Sequence, residues 1–222
     1  MCIRDSRIVS VLGALLAVLA TYWGAISVLG RRGAFWSGAI LATSLLLVFE
    51  AHIAKTDAML CGFSALCLAC ILRQQKQPSK TTAFIFWLAL GGAIMIKGPI
   101  TPVIIIFAIT AYSFWQREAK WLKSLISIPG IIAAVLLVLP WAIAIGIATD
   151  GAFFKDAIGG DLAPKLAGGA EQHGAPPGLY ALTLPVFFWP GILLLLPAMA
   201  FAKMAGGKNS SDVNLKLSLI HI

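Results

Sequence analysis

Long apolar runs separated by short polar segments make up almost the whole of this chain. A bilayer core of roughly 30 Å is crossed by about 20 apolar residues in helical conformation. The charged residues lie mainly between the runs instead of alternating within them. This pattern predicts about seven membrane spans, at residues 8–29, 34–49, 58–72, 82–96, 100–115, 125–147 and 180–202.

Residues 82–115 are too long for one span, because a single helix of that length would run roughly 50 Å. Lys97, Gly98 and Pro99 interrupt the stretch. Glycine ends helices and proline cannot continue one. We therefore predict a hairpin turn at one membrane face, with a kinked or re-entrant helix as the alternative.

The composition agrees with this pattern and excludes an ordinary soluble domain. Of the 222 residues, 59% are hydrophobic and only 12% are charged, whereas soluble domains carry about 25% charged residues. The net charge of +8 comes from 17 Lys and Arg scattered between apolar runs, so they form no continuous basic face for nucleic acid. The sequence therefore predicts an all-α, polytopic transmembrane helical bundle.

The polar segments are of two kinds, and they alternate along the chain. Threading the chain through seven spans collects ten basic residues on one side: Arg31, Arg32, Arg73, Lys76, Lys80, Arg117, Lys120, Lys123, Lys203 and Lys208. By the positive-inside rule this side is cytoplasmic. The opposite side, which we expect to face outward, receives a mixture of acids, histidines and isolated lysines.

Two of the outward segments contain groups capable of chemistry. Glu50, His52, Lys55 and Asp57 lie within eight residues between two spans, and ionisable groups at that depth usually face a cavity or each other. Lys97 lies at the mouth of the predicted hairpin, close to the N-terminus of the next helix, which suits a phosphate. The alternatives are an ordinary paired outer loop for the cluster and a lysine that snorkels to the interface for Lys97.

The longest segment without a span runs from about residue 148 to residue 179. Loops beyond about 12 to 15 residues are usually functional or disordered. Its acids, aromatic residues and single histidine suit a sugar-phosphate site, and the alternative is a solvated loop with an interfacial helix. The candidate side chains are Asp161, Lys165, His173 and, at its end, Tyr180.

The two ends of the chain are related through the genetic code. Residues 1–6 and 217–222 can be written as reverse complements of one short DNA sequence, as expected of a sequencing adapter read at both ends of a fragment. We expect residues 7–216 to form the native transmembrane domain and leave both ends out of the functional argument.

Short motifs in a fixed order resemble the polyprenyl-phosphate-dependent membrane glycosyltransferases, which include the aminoarabinose transferase of lipid A and the dolichyl-phosphate-mannose protein mannosyltransferases. The motifs are Gly30-Arg31-Arg32, Ala54-Lys55-Thr56-Asp57-Ala58-Met59-Leu60, Ile96-Lys97-Gly98-Pro99, Leu139-Pro140-Trp141, His173-Gly174-Ala175-Pro176-Pro177-Gly178-Leu179-Tyr180 and Phe188-Trp189-Pro190-Gly191. The resemblance covers nearly all of residues 7–203, and it rests on the order and spacing of these motifs together.

The resemblance implies a GT-C fold, with an active site in outer loops. It also implies transfer of a sugar from a polyprenyl-phosphate carrier to a lipid A-like, glycolipid or protein acceptor at the outer face of the inner membrane. Lys97, Lys165 and Lys55 would then bind the donor phosphate. Asp57, Asp161, His173 and Tyr180 would orient the substrate.

Two departures from the family pattern affect the expected activity. The family's catalytic Asp lies in a first outer loop that would precede this sequence, so we expect no catalytic base within these residues and no activity from them alone. In addition, Lys165 stands where the family often has an Arg, and a lysine cannot form the bidentate fork that an arginine forms with phosphate.

Other functions remain open from the sequence. A divalent metal held by loop acids and His173 stays an alternative, although the spacing does not demand a metal. A secondary transporter or lipid flippase would place charged groups near the membrane midplane and show paired, broken helices, which the sequence lacks. A non-catalytic assembly subunit is the third alternative. We expect no nucleic-acid partner.

Overall fold

The computed structural model describes residues 3–116, 120–155, 179–195 and 197. Within these residues every regular element is helical, as the all-α prediction requires. The α-helices are α1 (Ile3–Ala42), α2 (Leu45–His52), α3 (Asp57–Lys76), α4 (Lys80–Lys97), α5 (Ile100–Gln116), α6 (Ile128–Ala148), α7 (Ala152–Lys155) and α8 (Leu179–Phe187). Two short 3-10 helices cover Lys120–Leu125 and Gly191–Leu194.

The first helix reverses direction at Gly30, which has φ of 70° and ψ of −179°. Positive φ is accessible to glycine at little cost. After the turn, a Cβ on Gly38 would lie 3.5 Å from Cβ of Tyr22, whereas a straight helix would separate these residues by about 24 Å. The chain therefore turns back on itself, and α1 supplies both the predicted span 8–29 and the start of the next one.

The predicted span 34–49 is not continuous, and this part of the prediction was wrong. The helix ends at Ala42, and α2 begins at Leu45 with Ser44 as its N-cap. The backbone N–H of Leu45 donates to the carbonyl oxygen of Trp189, at 3.2 Å. The N–H group at the break is thus bonded by a segment more than 140 residues further along the chain. Local hydrophobicity does not reveal such a distant contact.

Helices α1 and α3 approach closely because small residues line their contact. A Cβ on Gly62 would lie 2.6 Å from the carbonyl oxygen of Gly13, and a Cβ on Gly24 would lie 2.7 Å from Cβ of Ala69. Close backbone approach through small residues is the usual packing of helices in lipid, where apolar burial provides no driving force between them.

Helix α4 lies between α3 and α6 and uses two adjacent glycines to do so. A Cβ on Gly92 would lie 3.0 Å from the ring of Phe63 on α3, and one on Gly91 would lie 3.2 Å from Cα of Ala134 on α6. The apolar cluster between these helices and their neighbours comprises Cys67, Cys70, Ile71, Phe86, Ala89, Ile105 and Leu125. The two cysteines are free and buried, as expected for small apolar side chains.

In the part of the chain that the structure describes, four helices are long and apolar enough to cross a membrane, namely α1 from Arg7 onward, α3, α4 and α6, and α5 is a shorter apolar helix. The predicted hairpin is confirmed, because α4 ends at Lys97 and α5 begins at Ile100. The predicted span 180–202 lies only partly within the described residues, where α8 is followed by a turn and a 3-10 helix.

The bundle has two ends with different charged residues, as predicted. The first, called here the basic end, carries Arg31, Arg32, Arg73, Lys76, Lys80 and Lys123. The other, called here the mixed-charge end, carries Arg7, Glu50, His52, Lys55, Asp57, Lys97 and Asp150. The candidate chemistry therefore collects at the mixed-charge end.

Candidate functional site

An ion pair at the mixed-charge end joins the beginning of α3 to the end of α4. Nζ of Lys97 lies 2.5 Å from Oδ1 of Asp57. The two side chains are 45% and 39% exposed, respectively. Their charges are therefore paired with each other but remain within reach of solvent or a ligand.

The local sequence explains why these two groups meet. Asp57 is the first residue of α3, where a carboxylate is stabilised by the positive end of the helix dipole. Lys97 is the last residue of α4 and lies at the negative end of that helix. Gly98 follows with φ of 64°, and its N–H donates to Ile94. Since Gly98 caps α4, the ammonium and the start of α5 are placed at the same end.

Lys55 lies two residues before the ion pair on an exposed loop. Its backbone is fixed at both polar atoms: the N–H donates to the carbonyl of Ile53 at 2.9 Å, and the carbonyl accepts from Oγ of Ser10 at 2.8 Å. Ser10 is fully buried on α1. Within the described residues no acidic side chain pairs with the Lys55 ammonium, so its charge is available to a ligand.

Glu50 and His52 at the end of α2 are held differently. Nδ1 of His52 lies 2.7 Å from the carbonyl oxygen of Val48, one turn earlier in the same helix. Oε2 of Glu50 is buried and has no hydrogen-bond partner in the described part of the chain. Buried polar atoms are nearly always partnered. Glu50 was part of the sequence cluster but was not chosen as a site residue, and only its buried oxygen distinguishes it.

This arrangement is suited to binding an anion. Asp57 and Lys97 neutralise each other, whereas the ammonium of Lys55 has no acidic partner among the described residues. The N-termini of α3 and α5 lie at this end, and the first N–H groups of a helix have no partners within the helix. A lysine ammonium carries three donors, so Lys97 retains donors for a ligand while Asp57 holds it in position.

No group of three or more His, Cys, Asp or Glu side chains placed to hold a metal occurs within residues 3–116, 120–155 and 179–195. The alternative of a divalent metal depended on acids of the long loop and on His173, which lie outside those ranges. Binding of a divalent metal therefore remains an alternative that involves residues outside the described ranges.

Of the seven side chains predicted for the site, the structure brings Asp57 and Lys97 together and places Lys55 next to them in the chain. Asp161, Lys165 and His173 lie outside the described residues. Tyr180 belongs to the first turn of α8, and the position of its side chain is not described. The roles of all seven residues remain predictions.

The structure thus defines a helical membrane protein whose mixed ionisable groups gather at one end of the bundle. Residues 4–151 match the family model of the dolichyl-phosphate-mannose-protein mannosyltransferases. This match covers more than half of the chain, and the chain belongs to that family.

Two further proteins are similar to this chain, one in sequence and one in fold. The chain is 28% identical over 194 residues to the undecaprenyl phosphate-alpha-4-amino-4-deoxy-L-arabinose arabinosyl transferase of Yersinia enterocolitica serotype O:8 / biotype 1B, covering 84% of this chain and 35% of that protein. The fold is similar to the crystal structure of ArnT from Cupriavidus metallidurans in the apo state, with a TM-score of 0.72 and 20% identity over 85% of this chain and 35% of that one. This chain therefore spans about a third of the length of each relative.

Proposed function

We propose that this chain is part of a membrane glycosyltransferase that moves a sugar from a polyprenyl-phosphate donor to a lipid A-like, glycolipid or protein acceptor. The observation that carries the proposal is the Asp57–Lys97 ion pair at the meeting point of two helix ends. Lys55, which has no acidic partner among the described residues, lies beside it in the chain. The name of the Yersinia relative, which states an undecaprenyl-phosphate sugar donor, supports the same class of substrate.

In this proposal the sugar is displaced at its anomeric carbon while the polyprenyl phosphate leaves. The bond to the phosphate oxygen breaks, and negative charge develops on the departing phosphate. Fixed cations stabilise such charge because they need no reorganisation during the reaction. Lys55 and Lys97 supply this charge, and Lys165 is the third cation that we assign to the donor.

The acidic and aromatic residues have positioning roles in this scheme. Asp57 fixes the ammonium of Lys97, and Asp161, His173 and Tyr180 orient the sugar. The proton of the acceptor hydroxyl goes to a general base, for which we assign no residue of this chain.

We further propose that the mixed-charge end faces the outside of a bacterial inner membrane. The support is the separation of charges between the two ends, because an excess of Lys and Arg in short loops marks the cytoplasmic side. After replacement of the native cysteines, single cysteines at positions 97 and 173 should react with a membrane-impermeant maleimide in intact spheroplasts. A cysteine at position 76 is the matched cytoplasmic control. Labelling at position 76 only, with none at 97 or 173, would reverse the orientation.

Lysine substitutions test the proposed chemistry. The complete gene product that contains this chain should be reconstituted in proteoliposomes with a radiolabelled polyprenyl-phosphate sugar and acceptor. Lys97→Ala should lower transfer by about 10² to 10³, the usual effect of removing one fixed stabilising group, and Lys55→Ala should lower it in the same direction.

Lys80→Ala, which removes an exposed ammonium at the basic end, is the matched control and should leave transfer unchanged. Unchanged turnover in Lys97→Ala would remove that residue from the site. Movement of the lipid-linked sugar across the bilayer without product formation would instead support a flippase.

A further inference from the structure

Buried hydrogen-bond donors without partners occur at the basic end, away from the proposed glycosyl-transfer site. Within the described residues they include Nε2 of Gln75 on α3, Oγ of Ser113 on α5 and Nε1 of Trp121 in the 3-10 helix Lys120–Leu125. Buried polar groups without partners are rare, because each has lost its hydrogen bonds to water without gaining others. Among the described residues four such donors lie at the basic end, these three and Nε of Arg73, and together they indicate a missing acceptor.

The helical register brings the first two groups to the same level. Oγ of Ser64 on α3 lies 3.3 Å from Oγ1 of Thr101 on α5, and this contact fixes the alignment of the two helices. Both helices run toward the basic end. Gln75 lies eleven residues beyond Ser64, which is close to three full turns, so it occupies the same face of α3. Ser113 lies twelve residues beyond Thr101, about a third of a turn past three full turns, so it reaches a similar depth, while its neighbour Tyr112 keeps the face of Thr101.

An aromatic contact adds the third group. The rings of Tyr112 and Trp121 are 5.8 Å apart in an edge-to-face arrangement. Because Tyr112 immediately precedes Ser113, Trp121 is brought to the end of the α3–α5 contact. Helix α3, helix α5 and the 3-10 helix thus each contribute one donor to this region. We call these three residues, Gln75, Ser113 and Trp121, the donor cluster.

The surroundings of the donor cluster are cationic and lie at the depth of lipid headgroups. Lys76 follows Gln75, and Lys123 lies two residues after Trp121; both are exposed. Tryptophan and lysine are typical of the membrane interface. Each cluster member can donate a hydrogen bond, and anionic phospholipids present phosphate oxygens, which only accept.

We propose that the donor cluster binds the phosphate of an anionic phospholipid in the leaflet that contacts the basic end. The amide, hydroxyl and indole groups donate to the phosphate oxygens, while Lys76 and Lys123 attract the charge. Water also supplies acceptor oxygens, but it gives no preference for anionic lipid. This lipid site does not depend on the proposed glycosyl transfer and lies at the opposite end of the bundle.

Lipid retention measured by native mass spectrometry tests the site. The whole chain should be released from nanodiscs made of equal amounts of phosphatidylglycerol and phosphatidylcholine. The unmodified chain should retain phosphatidylglycerol preferentially. Trp121→Phe and Ser113→Ala should each weaken this retention by about tenfold, because hydrogen bonds to charged groups are of that strength.

Ser113→Ala removes little volume and Trp121→Phe keeps an aromatic ring, so the fold should survive. Unchanged thermal unfolding in phosphatidylcholine nanodiscs verifies this. Trp141→Phe is the matched control, because it makes the same chemical change toward the other end of α6, where Trp141 meets Phe153 in an edge-to-face contact. This variant should retain phosphatidylglycerol like the unmodified chain.

Three results overturn the proposal. They are equal retention of the two lipids by the unmodified chain, unchanged phosphatidylglycerol retention in both cluster variants, and full displacement of phosphatidylglycerol by millimolar inorganic phosphate. The last result assigns the cluster to free phosphate. Selective retention that is lost in the cluster variants and resists inorganic phosphate supports the lipid site.

Discussion

The two ends of helix α3 use polar side chains in opposite ways. At its beginning, Asp57 pairs with Lys97, and both side chains are more than a third exposed. Near its end, Gln74 is 1% exposed. The Gln74 side chain donates to the carbonyl oxygens of Ser79 and Ser124 at 2.9 and 2.8 Å, and it accepts from the N–H of Ser79 at 2.6 Å.

This difference separates polar groups that hold the fold from polar groups that are available to a ligand. An exposed ion pair contributes little to stability, because water already solvates both charges. A buried amide that satisfies three backbone groups contributes much more, since its loss leaves those groups without partners. Substitutions at the basic end should therefore reduce stability, whereas substitutions at the mixed-charge end should reduce function.

The largest loss of stability is expected from Gln74→Leu. Two carbonyl oxygens and one N–H lose their partner, which should lower the free energy of unfolding by about 3 kcal/mol. Denaturant unfolding in detergent micelles, followed by circular dichroism, measures this change. Gln77→Leu, at the exposed residue after α3, is the matched control, and an equal effect of the two substitutions would contradict the proposed role of the buried amide.

A smaller loss is expected from Arg73→Lys. The guanidinium of Arg73 lies 4.4 Å from the ring centroid of Trp23 and donates from Nη1 to the Trp23 carbonyl oxygen at 3.1 Å. Lysine keeps the charge but cannot make both contacts from one planar group. We expect a decrease of about 1 kcal/mol in the same unfolding assay. Arg31→Lys, on the exposed turn after α1 reverses, should have no measurable effect, and equal midpoints for the two variants would argue against the stacking contribution.

The smallest change in stability is expected from Asp57→Asn. Removing one partner of an exposed ion pair should alter the free energy of unfolding by less than about 1 kcal/mol. Binding of a polyprenyl phosphate to nanodisc-embedded protein should not weaken, because both lysines remain. Sugar transfer by the complete gene product should nevertheless fall, since the ammonium of Lys97 is no longer held. Weaker phosphate binding in this variant would show that Asp57 does more than position Lys97.

Much of the fold follows from the sequence because local chemistry determines it. Gly30 and Gly98 permit the positive φ that the two reversals use, and the basic and mixed segments separate as the positive-inside pattern predicts. Asp57 and Lys97 were identified as site residues by their positions between apolar runs.

The remaining features depend on contacts between distant residues. The break before α2 is accommodated by the carbonyl of Trp189, and the loop of Lys55 is fixed by Ser10, which is 45 residues away. Gln74 resembles the neighbouring Gln75 and Gln77 in sequence, and only the packing of Ser124 against α3 gives it a buried role. Hydrophobic patterns contain no information on which of three glutamines meets a distant backbone.

The bond from Ser10 reaches the carbonyl of Lys55 and not its side chain. Any amino acid except one that distorts the backbone can therefore occupy position 55 without releasing the loop from α1. Relatives that use different sugar donors or acceptors can carry a neutral or acidic side chain at this position, while the bond between the loop and α1 stays the same. The side chain at position 55 can therefore change, and with it the charge presented to a ligand, without a change in the fold.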